Sequence, residues 1–174
     1  MAFFLWLENT AVSTWVREST SLLAFPFILY LHTLGLALIA GLSSAVALTI
    51  LTQPRAPVRF LVKLFPLMWV GLAINALSGV ALLVAYPAKA LTNPVFYIKL
   101  VAIAIAVGIV QWLQQRFVLE AGVDADTGSA AASPTSQTSM KRAAWGLLGL
   151  WLIATLTGRL LAYTYSILMA SFAI

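Results

Sequence analysis

Cysteine is missing from this 174-residue chain, which removes disulfides, iron–sulfur clusters, thiolate metal sites and covalently attached c-type haem from consideration. Charge is scarce too: 9% of the residues are Asp, Glu, Lys or Arg, against roughly 25% in a soluble domain. The acidic residues are Glu8, Glu18, Glu120, Asp124 and Asp126, and all lie outside the long apolar runs. Without a carboxylate in those runs, a Ser-His-Asp arrangement is excluded there. An autonomous proton- or sodium-coupled transporter, which normally relies on a membrane carboxylate, is disfavoured. Histidine occurs once, as His32, and no Met-x-x-Met or His-x-His spacing offers a copper site.

What remains is oil. With 62% hydrophobic residues and a mean hydropathy of +0.99, the chain reads as an all-α integral membrane protein. A helix crosses the hydrocarbon with about 20 mostly apolar residues, and four runs qualify: residues 22–51, 60–85, 94–118 and 143–172. "TQPRAPVR" and "YPAKALTNP" separate the first three with helix-breaking prolines. The third connection, residues 119–142, is small, polar and rich in Gly, Ser and Thr, the composition of a flexible cytoplasmic loop. The expected architecture is one membrane domain, an up-down-up-down bundle of four transmembrane helices.

The opening "MAFFLWLENTAVSTWVREST" lacks the positive start and small-residue cleavage site of a secretory signal. It is expected to stay on the protein as a short amphipathic interfacial helix over residues 4–20, placing Leu5, Val12, Trp15 and Val16 on one face. The net charge of +5 comes from basic residues in short connections, a topology signal that leaves no role for nucleic acid. Arg55, Arg59, Lys63, Arg116, Lys141 and Arg142 fall on one side of a four-span protein, Arg17 and Lys89 on the other. Both termini are therefore expected outside a bacterial inner membrane.

Polar residues inside a span are costly and mark candidate sites. Counting at 1.5 Å per residue, His32 in the first span, Lys99 in the third and Arg159 in the fourth all lie on the order of 8–15 Å below the outer surface. Asn75 and Ser78 in the second span sit at a similar level, and Tyr163 is one turn from Arg159. Small residues share these faces: Gly35 beside His32, Gly71 and Gly79 around Asn75, and Gly158 with Thr155 beside Arg159. An imidazole is a common axial ligand of haem iron. The inventory suggests haem b, with His32 as the metal ligand and Lys99, Arg159 and Tyr163 around the propionates. One histidine cannot supply two axial ligands, and Met68 and Met169 are badly placed in depth. The iron is then five-coordinate or shared across a symmetric homo-oligomer. The alternative is a non-enzymatic scaffold or a lipid- or quinone-binding subunit using the same cationic pocket. No complete catalytic constellation is present, and the bilayer, a second copy or other membrane subunits are the expected partners.

The motifs "W-x-E…W-V-R-E-S", "P-x-x-x-Y-L-H-T-L-G-L-A-L", an early "K-L" in the third span and "G-R-x-x-A-Y" in the fourth resemble a family of small bacterial inner-membrane proteins known as a domain of unknown function. The likeness covers nearly the whole chain and sits on His32, Lys99, Gly158, Arg159 and Tyr163; it implies no established activity. A more distant, architectural likeness to copper-resistance membrane domains and cytochrome b561-type bundles implies a four-helix fold. This chain lacks the paired histidines of those cytochromes.

Overall fold

A computed structural model describes residues 25–53, 58–85, 87, 91–127 and 134–172, with side chains placed for 25–53, 60–85, 87, 91–119 and 137–161. Among the described residues every regular element is an α-helix: α1 (Phe25–Thr52), α2 (Val58–Val62), α3 (Phe65–Ala85), α4 (Pro94–Thr127) and α5 (Pro134–Phe172). Four stretches, Phe25–Thr52, Phe60–Ala85, Pro94–Leu119 and Gln137–Leu161, are long and apolar enough to cross a membrane. The amphipathic segment expected at 4–20 lies outside the described residues.

Local chemistry sets where these helices begin and break. Pro66 has no N–H to offer the helix ladder and disfavours helical backbone in the residue before it. The chain accordingly tightens between α2 and α3, where the Leu64 amide bonds the Leu61 carbonyl at 3.1 Å before α3 takes over. At the start of α4, Asn93 is a buried N-cap: its Oδ1 accepts from the Val95 amide at 3.0 Å, and Pro94 takes the first helical position, where a missing N–H costs nothing. This cap fixes the register of the turn that carries Lys99. The expected loop over 119–142 is shorter than its composition suggested, because α4 continues to Thr127 and α5 starts at Pro134. Backbone ladders do not need apolar side chains to continue, and Pro134 suits a helix start.

α1 packs on α3, α4 on α5 and α1 on α5, while α2 leans on α4. The closest approach is between α1 and α3. A Cβ built on Gly35 would lie 2.5 Å from the Asn75 amide nitrogen and 2.8 Å from the Gly71 oxygen. One on Gly71 would lie 2.5 Å from Leu38 Cβ. Small residues at such crossings let backbones touch, the usual route to helix association where lipid is as apolar as the side chains. Toward one end the bundle is filled by Ile39, Val46, Phe65, Met68, Val110, Leu113, Phe117 and Leu147, all essentially inaccessible, with the Phe65 and Phe117 rings 6.1 Å apart. The outward faces remain apolar, with Leu77, Val80, Val101, Trp145 and Leu152 exposed. The other end carries His32, Asn75, Ser78 and Lys99.

Gly71→Ala should therefore lower the thermal midpoint in detergent sharply, an overpacking cost of about 1–3 kcal/mol. Gly41, whose added Cβ meets nothing within 4 Å, is the control. Gly41→Ala should leave the midpoint level or raise it by the helix-propensity gain of up to about 1 kcal/mol. Equal effects of the two substitutions would contradict the packing account.

Candidate functional site

His32 sits in the second turn of α1, and three helices meet its ring. Nδ1 lies 3.1 Å from the Asn75 carbonyl oxygen and 3.2 Å from Ser78 Oγ, both on α3. Nε2 lies 3.5 Å from Lys99 Nζ on α4. The Asn75 side-chain amide donates to the His32 carbonyl at 2.8 Å, so α1 and α3 are cross-bonded through backbone as well as side chain. Gly79 leaves room for the ring: a Cβ there would come within 3.2 Å of His32 Cε1.

These contacts select a protonation pattern. Ser78 Oγ already donates to the Ile74 carbonyl at 2.6 Å, and an ammonium is a donor only. The neutral tautomer with its proton on Nδ1 suits the shorter contacts: Nδ1–H donates to the Asn75 carbonyl and Ser78 Oγ and Nε2 accepts from Lys99, which leaves the Asn75 amide nitrogen, 3.5 Å from Nδ1, without an acceptor there. The opposite tautomer would set a lone pair against the Asn75 carbonyl and an N–H against the amine. A second nitrogen held by a backbone carbonyl is also how proteins orient a histidine whose other nitrogen is put to use.

Lys99 does not reach out to the near surface. Its side chain is half-buried and turns into the bundle, with Cε and Nζ 3.8 Å from the position a Cβ would take on Gly158 of α5. His32, Asn75, Ser78, Lys99 and Gly158, predicted to share a slab of the membrane, are thus brought into one cluster from four helices. Gly35 is nearby but does not open space beside the imidazole, because it is spent on the α1–α3 crossing.

Arg159 is placed differently. Its side chain is exposed, and among the described residues no hydrogen bond links it to His32 or Lys99. The inward face of α5 runs through Leu147, Trp151, Ala154 and Gly158, and one further residue turns about 100° round the helix. Thr155, expected on the same face, is exposed and donates back to the Trp151 carbonyl at 2.8 Å. The side chain of Tyr163 lies outside the described residues. Met68 is buried in the apolar core, and Met169 lies outside the described side chains. Among the described residues no group of three or more His, Cys, Asp or Glu gathers to hold a metal, and within this cluster His32 is the one such side chain.

A second polar feature escaped the sequence reading. In the half of the bundle remote from His32, an open cleft of about 650 Å³ is lined by Trp69, Gln111, Gln114, Gln115, Val118 and Leu119. The Trp69 indole N–H donates to Gln114 Oε1 at 2.7 Å. Its signal was available: three amides within five residues near the end of an apolar span. Comparison with family models, curated proteins and solved structures found no match to this chain.

Because His32 is the sole histidine, selective ¹⁵N-histidine labelling reports this site alone. The spectrum should show a pyrrole-type Nδ1 and a pyridine-type Nε2, with Lys99→Met moving the Nε2 resonance and leaving Nδ1 nearly unchanged. A pyrrole-type Nε2 would refute the assigned tautomer.

Proposed function

We propose that the chain is a non-enzymatic binding subunit of a bacterial inner membrane, inserted as an up-down-up-down bundle with both termini outside. Its His32–Lys99 site receives the polar end of an amphipathic ligand from the bilayer. One observation carries this reading: a lysine that had the surface within reach is turned inward against His32 Nε2 and Gly158. Long cationic side chains near a span end ordinarily snorkel toward water, and an ionisable group held inside a bundle marks a ligand or ion pathway by default. The exposed apolar faces of the helices give such a ligand's chain a surface to lie against. A quinone or a lipid headgroup presents the oxygen acceptors that an amine can bond.

Quantitative mass spectrometry of lipids and quinones carried through purification tests this. Wild-type protein should retain one species at near-stoichiometric level. Lys99→Met should lose most of it, by roughly tenfold or more if one charge-assisted hydrogen bond is removed. A lipid profile identical between the two would refute the reading.

Haem b is the second reading, favoured by the Nδ1 contact to the Asn75 carbonyl, the orientation typical of an axial histidine. The residues fit the cofactor only in part. Nε2 faces Lys99 Nζ at 3.5 Å, so iron at Nε2 requires the amine to move aside, and exposed Arg159 would reach a propionate only from outside the cluster. In this reading His32 holds the iron, Lys99 neutralises a propionate, and a homo-oligomer or another membrane subunit supplies whatever second ligand is used. Haem-supplemented expression should then give Soret and α bands in a reduced-minus-oxidised spectrum, and His32→Ala should remove them. A spectrum without either band rejects haem.

A further inference from the structure

Within the bilayer site proposed above, we infer that the ligand is an acid, one carrying a carboxylate or phosphate oxygen, with the Lys99 ammonium as its counter-ion. The inference rests on that reading and follows from where each polar hydrogen of the cluster goes. The His32 Nδ1–H is shared between the Asn75 carbonyl and Ser78 Oγ. The Ser78 hydroxyl hydrogen goes to the Ile74 carbonyl, and one hydrogen of the Asn75 amide to the His32 carbonyl. Lys99 is the charged group with hydrogens in excess: an ammonium has three N–H donors, and His32 Nε2 takes one, while the second Asn75 amide hydrogen, its nitrogen 3.5 Å from His32 Nδ1, adds a neutral donor. What the cluster offers a newcomer is therefore donor capacity and positive charge, not an acceptor.

The protein's own anions do not answer that charge from within the spans. No described side chain is a carboxylate. On the same helix, Glu120 follows Lys99 by twenty-one residues, about 31 Å along the axis. Glu8 and Glu18 belong to the leading segment outside the described residues. An ammonium held among apolar walls gains most from an acceptor that carries charge, since a charge-assisted hydrogen bond is roughly twice as strong as a neutral one and an unpaired charge there is the costly alternative. On the α5 side Lys99 Cε and Nζ face Gly158, where an added Cβ would lie 3.8 Å from both, at ordinary contact distance. His32 acts as a positioning residue, holding the amine through Nε2.

Delipidated full-length protein in nanodiscs of neutral phosphatidylcholine, titrated with chain-matched oleic acid, oleyl phosphate and oleyl alcohol, tests this inference. The readouts are bound probe and the Lys99 ¹⁵Nζ resonance. One acid, or both, should bind more tightly than the alcohol by roughly ten- to a hundredfold, the equivalent of one charge-assisted hydrogen bond. The two acid arms separate a carboxylate source from a phosphate source. Lys99→Gln should erase the difference between acid and alcohol, and Lys99→Arg should restore much of it; the wild-type comparison needs no variant to fold. Alcohol, or a neutral quinone, binding as well as the acids overturns the acid inference and leaves the binding site standing. No probe binding, with the His32 and Lys99 resonances unmoved, overturns both. A shift of the ligand-free Lys99 resonance on Glu8→Gln or Glu18→Gln assigns the counter-ion to the chain itself and overturns the inference.

Discussion

The crossing of α1 over α3 at Gly35 and Gly71 is the constraint on which the polar site depends. Backbone contact there leaves no room for side chains between the helices, so the turns that follow on each helix are also held close. Asn75, one turn beyond Gly71, is thereby near enough to bond the His32 carbonyl with its amide and the imidazole with its own carbonyl. Widening the crossing by one methyl group would pull both bonds apart. A buried polar group left without a partner is expensive.

Division of labour within the bundle follows from the same geometry. The interior of the half that contains Val46, Phe65, Met68, Leu113 and Phe117 is filled by large apolar side chains, and its polar cleft at Trp69 and Gln114 lies open on the outside. Small residues occupy the other half: a Cβ at Gly79 would crowd His32 Cε1 at 3.2 Å, and Gly158 packs against Lys99 at 3.8 Å. One end is held by apolar packing, and the other gathers polar groups between its helices. The Asn93 cap and Pro94 start α4 at a defined point, which places Lys99 level with His32 and not a turn deeper.

Much of the candidate site was legible because depth in a membrane is a one-dimensional quantity. Counting residues from the ends of apolar runs put His32, Asn75, Ser78, Lys99 and Gly158 in one slab, and a helix rises by a constant amount per residue. Rotation about the axis was the weak coordinate. Gly158 and Arg159 are neighbours in sequence, so any count gives them equal depth, yet one faces Lys99 and the other is exposed. Gly35 misled in another way: glycine signals open space or close approach alike, and only the partner helix distinguishes them. The glutamines of α4 passed unnoticed because they lie near the end of a span, where polar residues are ordinary.

Composition and periodicity alone determined that this is a chain of four long apolar helices with one imidazole and two basic side chains, Lys99 and Arg159, well inside the apolar runs, since hydrophobic length and residue type require no knowledge of neighbours. Tertiary structure decided which polar residues meet. It turned Lys99 inward, left Arg159 outside and assigned the Nδ1 proton of His32. Those outcomes depend on how each helix is rotated against the others, a rotation that for α1 and α3 is fixed by the close packing of Gly35 on Asn75 and Gly71.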